Sequence, residues 1–77
     1  MIIVSQDKEF VINFENIWAL GTGVYKTSDK YVIFARNLDS DDITMGNYST
    51  KQRAKEVLKM FYHFYAAGQK IFEMPEE

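Results

Sequence analysis

The first 48 residues alternate between apolar and polar positions in short runs that polar clusters separate. A period of two is typical of β-strands that bury one face. The pattern predicts strands over the ranges 2–4, 9–13, 17–26, 31–38 and 43–48. It also predicts turns at 5–8, 14–16, 27–30 and 39–42, of which the 27–30 turn closes a hairpin.

The periodicity changes after residue 48, and apolar residues then recur about every 3.6 positions. This stripe consists of Ala54, Val57, Leu58, Phe61 and either Phe64 or Tyr65. The spacing of Ser49 and Gln52 is that of a capping box. Gly68 stands where a left-handed C-terminal residue is expected. The sequence therefore predicts a helix over about 50–67.

The last segment, 68–77, carries the apolar residues Ile71 and Phe72 beyond the helix. Two arrangements would cover them. In one, the tail folds back or adds a strand in the same chain; in the other, it packs on another subunit.

Strands followed by one helix predict an α+β fold. We expect one domain, 1–77, in which an antiparallel β-meander of four to five strands (1–48) has the C-terminal α-helix packed on one sheet face. The strand at 31–38 is apolar on both faces until Arg36, but one helix covers only one face. The uncovered face favours a homo-oligomer. The alternative is a sheet that curls into a partial barrel.

Composition narrows the class of protein. The chain is 47% apolar and 16% aromatic and has no cysteine, which excludes a disordered chain, disulfides and thiolate metal sites. The basic residues Lys51, Arg53, Lys55 and Lys59 gather on the predicted helix. The net charge of −2 disfavours nucleic acid as a partner. No apolar run is long enough for a membrane span and no signal peptide is recognisable, so we expect a cytoplasmic protein.

Catalytic and metal sites are not predicted. His63 is the only histidine, and no carboxylate at helical spacing would orient it as a general base. Asp39, Asp41 and Asp42 lack the glycine and the late glutamate of a calcium loop and indicate a solvated turn. We therefore expect no cofactor. A hydrolase that joins His63 to an aspartate of this turn is the alternative.

Five residues are candidates for ligand binding. Gly21 and Gly23 form a lone G-x-G, which predicts a bulge, a close backbone approach or a place for a flat ligand. Tyr48 and Arg53 flank the predicted helix start, where a base and a phosphate could bind. Tyr48 is alternatively a hydrophobic staple. Trp18 is a candidate for the core, for an interface or for a ligand platform.

Three segments in order carry a resemblance: IIVSQD at 2–7, VINFENI at 11–17 and MGNYSTKQRAKEVL at 45–58. The order resembles a group of small, mostly uncharacterised proteins from Gram-positive bacteria and their phages or prophages. Gln52, where glutamate is commoner, and the aromatic segment 61–72 depart from that pattern. The resemblance implies a single α+β domain and a phage or prophage origin. It transfers no reaction and no catalytic residue.

These observations lead to two hypotheses for the function. The first is a non-enzymatic, homo-oligomeric binding or interaction protein. If it is of phage origin, it would be an accessory protein in the host cytoplasm that blocks a host defence protein. The second is an oligomer that sequesters a small anionic ligand such as a nucleotide signal.

Overall fold

The computed structural model describes residues 1–24, 30–39 and 41–77. Their elements are β1 (Ile2–Val4), β2 (Val11–Asn13), β3 (Ala19–Val24), β4 (Tyr31–Arg36), β5 (Asp42–Tyr48), α1 (Lys51–Ala66) and β6 (Ile71–Glu73). The predicted α+β class is confirmed, because strands precede a C-terminal helix that packs against them. Most of the turn predicted at 27–30, the end of the strand predicted over 17–26, and Ser40 lie outside the described residues.

The strands divide between two three-stranded sheets, β2-β1-β6 and β3-β4-β5, whereas the sequence predicted one meander. The second sheet is an antiparallel meander; in the first, β1 pairs antiparallel with β2 and parallel with β6. A 3₁₀ turn, Phe14–Asn16, separates β2 from β3. The Asn13 side chain accepts the Glu15 N–H at 3.2 Å and caps this turn. The chain is thereby redirected before β3 begins.

The tail folds back in the same chain and adds β6. Gly68 has a φ of +75° and ends α1 as predicted. The N–H groups of Gly68 and Gln69 donate to the carbonyls of Tyr65 and Phe64, which is the Schellman pattern of helix termination. The chain then reverses, and Phe72 pairs with Ile3 beside β1.

The capping box predicted at Ser49 and Gln52 is wrong. Thr50 caps α1, and its side-chain oxygen accepts the Arg53 N–H at 3.0 Å. The Ser49 hydroxyl instead donates to the Glu77 carboxylate at 2.8 Å. Since this hydroxyl points to the tail, the helix begins one residue later.

Both sheets and the helix share one hydrophobic core. Its buried members are Ile3, Ile33, Ala35, Met45, Tyr48, Ala54, Val57, Phe61, Phe72 and Met74. Three of them, Ala54, Val57 and Phe61, confirm the predicted helical stripe. None of the helices in the described part of the chain combines the length and hydrophobicity that crossing a membrane requires.

Candidate functional site

The five sequence-predicted ligand residues fall into two groups. Gly21 and Gly23 lie on β3 and Trp18 lies just before it, whereas Tyr48 ends β5 and Arg53 lies in the first turn of α1. β4 separates β3 from β5, so the two groups are about 10 Å apart in the sheet. The structure therefore does not bring all five into one site.

An aromatic ring of the same chain covers the glycine pair. A β-carbon on Gly21 would lie 3.1 Å from Phe34 Cζ, and one on Gly23 would lie 3.7 Å from Phe34 Cε1. The Arg36 guanidinium carbon lies 5.3 Å from the centroid of the Phe34 ring. β3 runs in unbroken register with β4, and the bulge lies between β4 and β5 instead. The place predicted for a flat ligand thus holds Phe34.

Tyr48 is fully buried, and its hydroxyl donates to the Pro75 carbonyl at 2.8 Å. The absence of a side chain at Gly46 makes room for it, since a β-carbon there would lie 2.9 Å from Tyr48 Cε2. Burial raises the pKa of the Tyr48 phenol to about 12. Its ring is thus part of the core, and a ligand in solvent does not reach it.

The Tyr48 pKa makes stability depend on alkaline pH. An unfolded tyrosine ionises near pH 10, so the folded chain keeps a proton that the unfolded chain loses. The resulting stabilisation is present below pH 10 and is lost as the pH rises towards 12, by up to about 2–3 kcal/mol. We expect urea titrations between pH 8 and pH 11 to show a steeper loss of unfolding free energy in the wild type than in Tyr48→Phe. Tyr62→Phe, at an exposed ring, should keep the wild-type slope; equal slopes in all three proteins would contradict the assignment.

The start of α1 holds an acidic side chain from the tail. The Glu77 carboxylate accepts the Ser49 hydroxyl at 2.8 Å and the Ser49 N–H at 3.4 Å. These hydrogen bonds, helped by the charges of Lys30 and Arg53, lower the pKa of Glu77. Arg53 donates to the main-chain oxygen of Glu77 and lies 3.7 Å from the Glu56 carboxylate. The predicted anion position is therefore filled by the chain's own tail.

Gln6, which the sequence placed in a polar turn, is the main polar contact between the loop after β1, β5 and the tail. Its Oε1 accepts the Asn47 N–H at 2.8 Å, and its Nε2 donates to the Asn47 carbonyl at 2.9 Å. The same nitrogen contacts the carbonyls of Pro75 and Glu76 at 3.2 and 2.7 Å. The side-chain amide thus pairs with β5 as a strand residue would.

A cleft of about 450 Å³ opens beside Gln6, between the loop after β1 and β5. Phe10 and Ile43 supply its apolar walls, and Asp7 and Asp42 supply carboxylates. The Ser5 hydroxyl lowers the pKa of Asp7, and the Arg36 guanidinium lowers that of Asp42. The cleft therefore carries two ionised carboxylates at neutral pH.

His63 lies in an open groove along α1 with Met60 and Phe64. Its ring centroid is 4.9 Å from that of Tyr62. Within the residues that the structure describes, no three His, Asp or Glu side chains gather as metal ligands.

The outer face of the β2-β1-β6 sheet is mostly aliphatic. Ile3, Ile12 and Phe72 point inward, so alternation turns Asn13, Glu73 and four aliphatic residues outward, the latter being Ile2, Val4, Val11 and Ile71. Val11 is 63% exposed and Ile71 57% exposed. A 3.0 Å ion pair between Lys8 and Glu73 borders them. We call these four aliphatic residues the aliphatic sheet face.

No protein-family model, no curated protein and no solved structure matches this chain.

Proposed function

We propose that the protein is a non-enzymatic binding protein that acts as a small homo-oligomer and docks on a partner protein through the aliphatic sheet face. One observation carries the proposal: aliphatic residues from three adjacent strands form one face, and Val11 and Ile71 on it are each more than half exposed. Contiguous apolar surface with a polar rim is characteristic of protein contact sites. The Lys8–Glu73 ion pair supplies such a rim.

The class of partner follows from the resemblance to small phage and prophage proteins. We propose an accessory role in the host cytoplasm, in which binding to a host protein, such as a defence protein, blocks that protein. The segments at 2–7 and 11–17 that carry part of the resemblance include β1 and β2, and so include three of the four residues of the aliphatic sheet face.

The test compares two exposed apolar residues, Val11 on the aliphatic sheet face and Leu38 away from it. Immobilised wild type should retain a host protein, which is identified, purified and titrated calorimetrically against each variant. We expect Val11→Asp to weaken binding at least tenfold, because it places a charge within an apolar contact. Leu38→Asp, at an exposed apolar residue just beyond β4 and outside this face, should bind as the wild type does. Equal affinity of Val11→Asp and wild type would overturn the proposed docking face.

A second candidate function is sequestration of a small anionic ligand such as a nucleotide. The contacts of Ser49 and Arg53 with Glu77 favour it, because they already hold an acidic residue. A phosphate would replace the Glu77 carboxylate, so a nucleotide panel should raise the melting temperature of Glu77→Gln more than that of the wild type. A ligand at a hundredfold excess over Kd stabilises by about 2.7 kcal/mol. The absence of a shift in both proteins would exclude this function.

A further inference from the structure

The contacts of Gln6 reveal the direction of the backbone groups across the β3-β4-β5 sheet. Both backbone groups of Asn47 bond to Gln6, so the facing pair of Val32 and Asn47 is not hydrogen-bonded. Backbone direction alternates along a strand. Val32, Phe34 and Arg36 therefore point their N–H and C=O groups towards β3.

The same alternation determines which backbone groups of β3 point away from β4. Gly21 and Gly23 face Phe34 and Val32 and take their hydrogen bonds. The three alternate residues, Leu20, Thr22 and Val24, consequently point their N–H and C=O groups away from β4. The bond from the Trp18 N–H to the Arg36 carbonyl at 2.7 Å agrees with this direction. Within the described ranges, no backbone group bonds to the outer edge of β3.

The strand along this edge, ALGTGV, contains no charge and no proline. Proteins commonly block exposed edges with lysine, proline or a bulge. Val24 at one end is 62% exposed, and Trp18 at the other is 66% exposed. An uncharged edge with three outward donor–acceptor residues suits another uncharged strand.

We propose that the edge of β3 pairs antiparallel with β3 of a second copy of this chain, about a two-fold axis through Thr22. The outward residues are symmetric about Thr22 alone. On that axis Thr22 faces Thr22, and Leu20 of each copy faces Val24 of the other. All outward groups are then used, in three hydrogen-bonded pairs that comprise six backbone bonds. The β3-β4-β5 sheets of the two copies then join into one sheet of six strands.

The side chains fit the same register. Leu20 and Val24 lie on one face of β3, so each exposed Val24 is covered by a leucine of the other copy. Gly21 and Gly23 meet across the axis in closely spaced, non-hydrogen-bonded pairs. Self-complementarity is what a two-fold interface requires, and the placing of Leu20 and Val24 at equal distances from Thr22 gives a second copy that complementarity.

The inference rests on the homo-oligomer of the proposed function and assigns it an interface separate from the aliphatic sheet face. Val24 and Val11 provide a matched test, since both are strand valines with nearly equal exposure, 62% and 63%. Light scattering over a micromolar concentration series should give a dimer for the wild type and for Val11→Lys. Val24→Lys should dimerise at least tenfold more weakly while keeping the wild-type circular dichroism spectrum.

A second measurement reports the register directly. The chain has no cysteine, so a single substitution gives an unambiguous crosslink. Thr22→Cys should oxidise to a covalent dimer, because facing residues of a hydrogen-bonded pair have α-carbons about 5.5 Å apart, within disulfide range. Val11→Cys should stay monomeric on denaturing gels under the same oxidant.

The outcomes separate the inference from the proposed function. A dimer that Val11→Lys dissociates and Val24→Lys leaves intact would keep the oligomer but overturn the β3 interface. A wild type that is monomeric throughout yet binds its partner through Val11 would overturn the interface and the oligomer together, and leave the docking function standing. Faster crosslinking of Val11→Cys than of Thr22→Cys would also overturn the register.

Discussion

The variant Phe72→Ala is expected to lose a large part of the free energy of unfolding. Phe72 is 2% exposed, and its ring meets those of Phe61 and Phe64 edge-on at centroid distances of 5.6 and 5.1 Å. Truncating a buried phenylalanine costs about 3–5 kcal/mol. A domain of this length is stable by about 4–11 kcal/mol in all, so one substitution removes much of the total.

Ile71→Ala is the matched control, because it changes the neighbouring residue of the same strand. Ile71 points outward and is 57% exposed. Its truncation should cost about 0.5 kcal/mol or less. Urea titrations followed by far-ultraviolet circular dichroism would measure both variants. A cost for Phe72→Ala no larger than that for Ile71→Ala would contradict the packing of β6 against α1.

Local periodicity accounts for the parts of the fold that were predicted. The strand at 2–4 and the helical stripe Ala54, Val57 and Phe61 follow from spacing over a few residues. The tail was harder, because two arrangements would bury Phe72 equally well. Its pairing with Ile3 joins residues at opposite ends of the sequence, and no local pattern encodes that parallel contact.

The candidate site shows the same limit. Gly21 and Gly23 marked a close approach, but the identity of the covering group depends on the register between β3 and β4, which sets Phe34 beside them. The sequence predicted Ser49 as the helix cap, but the Ser49 hydroxyl contacts Glu77 and Thr50 caps α1 instead. In each case a contact with a residue distant in sequence decides the outcome.

Gln6→Glu is expected to destabilise the protein by about 2 kcal/mol or more at pH 7. The substitution preserves size but replaces the donating Nε2 with a carboxylate oxygen. That oxygen would face the carbonyls of Asn47, Pro75 and Glu76, to which Nε2 now donates. The carboxylate oxygen and these carbonyl oxygens are all acceptors and would repel each other where β5, the loop after β1 and the tail meet.

The pH dependence of this variant distinguishes repulsion between acceptors from a simple loss of packing. The carbonyls favour a protonated carboxyl, so the pKa of the new side chain should be higher in the folded than in the unfolded chain. The folded state then binds more protons, and the relative stability of the variant rises as the pH falls from 7 towards 4. Gln52→Glu, on the exposed first turn of α1, should cost little at either pH because an acid there suits the helix dipole. The contrary outcome is a difference in unfolding free energy between Gln6→Glu and wild type that stays constant with pH. It would mean that the Gln6 amide fills space between β5 and the tail without donating hydrogen bonds.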